Sequence, residues 1–132
     1  MNLFEELDSF LERAYAPYSG FRVASIVVTT EGKIYRGVNV ESVAYPTTMC
    51  AERNAVFHAV AEGVKPGEIA EIHILARNRE GAYVGTFPCG SCRQVIAEQS
   101  LGCAKVFVYR SEKEANAYPI AELLPHAFTS LE

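Results

Sequence analysis

Three cysteines and one glutamate hold most of the chemistry open to this chain of 132 residues. Cys50-Ala51-Glu52-Arg53 stands at the start of an alanine-rich apolar segment, and Pro88-Cys89-Gly90-Ser91-Cys92-Arg93 opens a second one. Cys89 and Cys92 are three residues apart, so at a helix start both sulfurs point to the same side. The first turn of a helix favours a thiolate, because its unpaired N–H groups carry partial positive charge. Two such helix starts converging on one ion give a three-sulfur set for a soft or borderline metal, and zinc is the commonest match without redox chemistry. Three protein ligands leave one position on zinc open, where a water can be activated. Glu52 follows Cys50 by two residues in a nearly all-apolar helix. A lone glutamate there needs a partner, and the activated water is one, which makes Glu52 the candidate proton carrier.

Three thiolates overbalance a divalent ion and weaken it as a Lewis acid. A positive group beside the sulfurs corrects this. Arg53 is the candidate for that role, and Arg93 reads equally as such a group or as a surface charge. Two other readings of the cysteines exist. Pro-Cys-x-x-Cys alone also fits a redox pair. With Cys103 as a fourth ligand it fits a structural zinc, but that leaves Glu52 without a purpose. Cys103 precedes the apolar run Val106-Phe107-Val108 and reads instead as a small buried thiol. His58, His73 and His126 form no pair at ligand spacing.

The elements that must position these groups follow from periodicity. Leu3, Phe4, Leu7, Phe10, Leu11 and Ala14 recur at helical spacing, and this helix ends near Ala16-Pro17. Phe21 to Thr30 and Lys33 to Val40 read as a hairpin turned at Glu31-Gly32, with Tyr35 facing one side and Ile34 and Arg36 the other. Met49 to Glu62 reads as a helix buried nearly all round, stopped by Gly63 and capped by Thr47 or Thr48. Ile69 to Ala76 is a strand, Arg77 to Gly85 a polar loop, Cys89 to Glu98 a helix and Ala104 to Tyr109 a strand. Ala115 to Tyr118 reads as a short edge strand and Ile120 to Leu124 as a short helix. A hairpin followed by two crossover helices predicts an α/β fold: a three-layer α/β/α sandwich around a mixed sheet of about five strands.

Length and composition predict one domain over residues 1–132, with no linker or repeat. No apolar run approaches the roughly 20 residues of a membrane span. The acidic start lacks the order of a signal peptide, so a cytoplasmic location is expected. The net charge of −4 votes weakly against a nucleic-acid polymer as partner.

Together, Tyr18-Ser19-Gly20-Phe21-Arg22-Val23, Gly37-Val38-Asn39-Val40-Glu41, Ala44-Tyr45-Pro46, the two cysteine motifs, and Leu123-Leu124-Pro125 with Phe128 resemble cytidine deaminases of the small homotetrameric type. The pattern of three cysteines with a non-ligand glutamate belongs to zinc deaminases. The resemblance implies one zinc per subunit on Cys50, Cys89 and Cys92, with Glu52 as proton shuttle. It implies that Asn39 and Glu41 bind the ribose, that Phe21 packs on the nucleoside, and that the backbone of Ala51 meets the pyrimidine edge. Tyr45 and Phe128 would reach sites of neighbouring subunits. The implied reaction is hydrolysis of cytidine and deoxycytidine to uridine and deoxyuridine, in pyrimidine salvage. The alternatives are deamination of another aminopyrimidine nucleoside such as blasticidin S, and a zinc-stabilised binding module without turnover. The chain departs from the family at Ala24-Ser25-Ile26, where Gly-Ala-Ala is usual. Glu52 and Cys89 are also 37 positions apart, a long spacing whose surplus is assigned to the Arg77–Thr86 loop.

Overall fold

The computed structural model describes residues 2–132. Its first helix, α1, is Leu3–Phe10. Asn2 caps it by accepting the Glu5 N–H at 2.8 Å, and Glu5 and Glu6 place negative charge on its positive end. Helical periodicity runs on past Leu11, yet only a 3-10 turn, Leu11–Arg13, follows. The cause is tertiary. Tyr15 donates its N–H to the Asn39 carbonyl at 3.0 Å and accepts from the Glu41 N–H at 2.8 Å, which demands extended backbone.

The remaining elements are β1 Arg22–Thr29, β2 Ile34–Val38, α2 Ala51–Ala61, β3 Ile69–Arg77, α3 Gly90–Gln99, β4 Lys105–Ser111, β5 Glu114–Pro119 and α4 Ile120–Leu123. One mixed sheet has the order β2-β1-β3-β4-β5. Only the β3–β4 pair is parallel. Strand alternation splits the apolar residues between two faces. Ala24, Ile26, Leu75 and Tyr109 meet Phe4, Leu7 and Leu11 on the α1 side. Val23, Val27, Ile72, Ile74, Val106 and Val108 meet Ala55, Val56, Ala59, Ile96 and Ile120 on the other. The expected α/β/α sandwich with five strands is what forms. Ile34 and Arg36 do point to the α1 side, with Arg36 paired to Glu6, while Tyr35 packs edge-on against His58.

The chain reaches β3 from β2 through α2, and α2 lies tight on the sheet. Gly37 makes this possible: a methyl group there would meet the Ala55 nitrogen at 2.3 Å and the Ala51 oxygen at 2.5 Å. Asn54 adds a tie, donating to the Val38 carbonyl at 2.7 Å.

Four local expectations are corrected. Thr47 and Thr48 do not cap α2; they hold the preceding turn, Thr47 donating to the Ala44 carbonyl and Thr48 accepting from the Ser42 N–H. The helix is not buried all round, since Phe57 and Val60 are 45% and 42% exposed. Cys103 is exposed as well. The turn through Leu101 and Gly102, both at positive φ, sets the parity that turns Ala104 inward instead. The Arg77–Gly85 segment is polar only in part. Asn78 Oδ1 accepts the N–H groups of Glu80 and Ala82, so the chain doubles back and sets Tyr83 edge-on against Phe4.

On the α1 side, His73 is almost fully buried. It stacks on Phe107 at 4.5 Å, with Nε2 2.7 Å from Glu71 Oε1 and Nδ1 2.8 Å from the Tyr109 hydroxyl. Burial pulls its pKa down, against the opposing pull of Glu71. The unfolded chain therefore takes up this proton first, near pH 6.5. Stability is full above that value and declines as pH falls below it, levelling off beneath the folded pKa. Denaturant titrations from pH 8 to 5 should show the gap between the parent and His73→Gln narrowing with acid. Taking the difference cancels the titrating groups that do not touch His73, and a gap independent of pH would contradict the assignment.

Candidate active site

Cys50 is the N-cap residue of α2 and Cys89 that of α3; neither side chain caps its helix. Both sulfurs turn instead toward Cys92 in the first turn of α3. The Cys50–Cys89 separation is 3.7 Å and the Cys89–Cys92 separation 3.5 Å, and all three sulfurs lie within 4.8 Å of one another. Zinc–sulfur bonds of about 2.3 Å at tetrahedral angles put sulfurs about 3.8 Å apart, so the cluster has the size of a zinc site. Its charge behaviour points the same way. The hydrogen bond from Cys92, helped by Arg53, holds the Cys50 thiol well below the usual range. The same hydrogen bond, and then burial, drives the Cys92 thiol up. A bound dication would let all three sulfurs ionise.

Cys103 lies outside the cluster and exposed, so the described residues bring no fourth thiol to it. A structural four-cysteine zinc is thereby set aside.

Glu52 sits in the first turn of α2, 4% exposed. Burial pushes its carboxyl up to about 7, the Cys50 charge adds to this, and its own N–H and Arg53 oppose it. Such a carboxyl both takes and gives a proton near neutral pH. Arg53 Nη2 is 3.5 Å from the Cys50 sulfur, and its guanidinium is held strongly protonated by that contact. Its buried Nε has no hydrogen-bond partner among the described residues. Arg93 resolves as a brace: Nε donates to the Pro88 carbonyl and Nη1 to the Leu123 carbonyl, each at 2.8 Å. It fixes the start of α3 against α4 and, among the described residues, donates to carbonyls and not to a sulfur.

The other expected residues are placed at several points around the fold. Asn39 is buried and already occupied: Oδ1 accepts the Val23 N–H at 2.9 Å and Nδ2 donates to the Phe21 carbonyl at 2.8 Å. It thus fixes the backbone at Phe21, with one N–H and one lone pair to spare. Glu41 and Tyr45 line a cavity of about 410 Å³ with Tyr18, Ser19, Ser42 and Thr48. Ala51, fully buried, begins α2. Tyr45 and Phe128 are 73% and 64% exposed. The Phe128 carbonyl accepts from Gln94 at 2.7 Å, which ties the C-terminal segment to α3.

Three positions escape a reading by residue type. Gly37 sets the height of α2, and a glycine inside a strand is the signal for such a close approach. Tyr18 and Ser19 both donate backbone N–H groups to Glu41, and only the turn chemistry of Ser19-Gly20 hints at that.

Residues 2–110 match the family model for the zinc-binding region of cytidine and deoxycytidylate deaminases. A cytidine deaminase of Sporosarcina psychrophila is 39% identical over 127 residues, covering 96% of this chain and 89% of that protein. One from Halalkalibacterium halodurans is 36% identical over 128 residues, covering 97% and 92%. The crystal structure of a cytidine deaminase from Burkholderia pseudomallei superposes with a TM-score of 0.85 at 37% identity, covering 97% of this chain and all of that one. With three thiols at zinc spacing inside the matched region, the chain belongs to the zinc-dependent cytidine and deoxycytidylate deaminase family.

Proposed function

We propose that this protein hydrolyses cytidine and deoxycytidine to uridine and deoxyuridine with release of ammonia. One observation carries the reading: a desolvated glutamate lies in the first turn of the helix whose cap supplies a sulfur to the three-thiol cluster. A binding module would have no use for that carboxyl. The relatives' names support cytidine over other aminopyrimidines.

Cys50, Cys89 and Cys92 would hold the zinc, which would supply Lewis-acid activation of a water. Glu52 takes a proton from that water and delivers it to ring N3, which makes C4 more electrophilic. Once the oxygen is bonded to C4, Glu52 takes that oxygen's remaining proton and gives it to the amine, so the C4–N bond breaks, the C4 carbonyl forms and ammonia leaves. Arg53 offsets the surplus negative charge of the sulfurs. Phe21 packs on the nucleoside, the backbone of Ala51 faces the pyrimidine edge, and Asn39 and Glu41 serve the sugar. A carboxylate at Glu41 welcomes hydroxyls and repels phosphate, so cytidine monophosphate is a poor substrate.

The chain acts as one domain, in the cytoplasm; no helix among the described residues is long and apolar enough to cross a membrane. It assembles as a homotetramer in which Tyr45 and Phe128 complete neighbouring sites. Their exposure, and that of Phe57 and Val60 on α2, supports this.

The test follows the ultraviolet absorbance of cytidine and of cytidine monophosphate with purified protein, before and after a zinc chelator. Cytidine is expected to be consumed, the monophosphate far more slowly, and both rates to vanish with the chelator until zinc is returned. No turnover by the zinc-loaded protein would end the enzyme reading.

A further inference from the structure

We propose that Ser19 is a positioning residue of the sugar pocket: its hydroxyl holds the Glu41 carboxylate in the one orientation that accepts a sugar hydroxyl. This rests on the reading of Glu41 as a ribose ligand and adds to it a residue that acts through Glu41.

The contacts are specific. Glu41 Oε1 accepts the Tyr18 N–H at 3.0 Å and the Ser19 N–H at 3.1 Å. Glu41 Oε2 accepts the Ser19 hydroxyl. A carboxylate offers about four acceptor positions, so three are filled and a single one is left, on Oε2. The Ser19 oxygen in turn accepts the Phe21 N–H at 2.9 Å. One hydroxyl therefore links the sugar carboxylate to the backbone of the residue that packs on the nucleoside. The Asn39 amide holds the Phe21 carbonyl from the other side, so both backbone groups of Phe21 are pinned. The Ser19 hydrogen bond is also the largest influence keeping Glu41 ionised, the form that accepts. Gly20, at φ 71, lets the chain turn here, and Arg79 donates to the Tyr18 carbonyl at 2.8 Å from outside.

Without the Ser19 hydroxyl, Oε2 has two open positions and the carboxylate pivots about its Oε1 contacts. Binding a sugar must then order it first. The cost falls on binding, because Glu41 serves the sugar and has no part in the proton transfers assigned to Glu52.

Steady-state kinetics of the zinc-loaded protein test this with Ser19→Ala, Ser19→Thr and Glu41→Gln, on cytidine and on 2′,3′-dideoxycytidine. Ser19→Ala should raise KM for cytidine about tenfold with kcat within about twofold of the parent, as for a lost hydrogen bond to a charged group. Ser19→Thr, which keeps the hydroxyl, should restore the parental KM. On the dideoxynucleoside, which lacks the hydroxyls Glu41 would accept, Ser19→Ala should raise KM far less than on cytidine, leaving only the smaller effect of the freed Phe21 N–H. An unchanged cytidine KM in Ser19→Ala overturns the proposal. So does an equal rise on both substrates, the mark of a merely collapsed turn, and so does failure of Ser19→Thr to restore KM. If Glu41→Gln raises the cytidine KM and Ser19→Ala does not, only the role of Ser19 falls. If Glu41→Gln changes nothing, the sugar reading of Glu41 falls and takes this one with it.

Discussion

Glu52→Gln is expected to lower turnover of cytidine by at least about 10³-fold while zinc content stays at the parental level. The amide fills the same space beside Cys50 but neither takes a proton from water nor delivers one to the ring. Metal analysis separates this from a damaged site, since Gln changes no sulfur. Stability should move the other way or not at all. Glu52 is 4% exposed and burial pushes its carboxyl up to about 7, so the folded protein bears a cost for its charge that an amide avoids. A variant that melts no lower than the parent, binds zinc and is inactive is the predicted outcome. Retained turnover would remove Glu52 from the reaction.

Gly37→Ala should damage both stability and chemistry, although Gly37 touches no ligand. The new methyl would meet backbone of α2, at 2.3 Å from the Ala55 nitrogen and 2.5 Å from the Ala51 oxygen. No rotamer relieves a backbone clash, so the helix must rise off the sheet. Overpacking of this kind costs about 1–3 kcal/mol. The helix carries Cys50 at its cap and Glu52 in its first turn, and a displacement of about 1 Å at reacting groups costs on the order of 10²-fold in rate. Thermal melting, zinc stoichiometry and kcat measured together check this. Parental values for all three would show that α2 has slack the packing does not suggest.

The three-thiol cluster was readable from residue type and spacing because each of its two halves is local. Cys89 and Cys92 need only a helix start, and Cys50 with Glu52 needs only another. The hairpin faces were readable because strand alternation is strict, and Tyr35, Ile34 and Arg36 follow it. What escaped was set by partners distant in sequence. The first helix stops where Tyr15 must pair with Asn39 and Glu41. Thr47 and Thr48 look like caps until the Ala44 carbonyl and the Ser42 N–H claim them. Cys103 follows an apolar logic that the positive-φ turn at Leu101 and Gly102 overrules. Apolar content told of Phe57 and Val60 that they want cover, but not whether the chain itself supplies it. Asn39 shows the same limit inside the site: its amide suits a sugar, yet most of its bonding capacity is spent on the strand beside it.

The doubled-back segment after β3 carries a further implication. Its tip delivers Arg79 to the Tyr18 carbonyl and against Gly20, where a methyl group would stand 2.9 Å from the arginine Nε. Losing or gaining one residue between Asn78 and Ala82 swings that arm off its target while leaving both cysteine motifs untouched. The segment is thus constrained in length as well as at Asn78 and Arg79. A change of length there would free the Tyr18 carbonyl from Arg79, a way to loosen the backbone beside Glu41 well away from the metal.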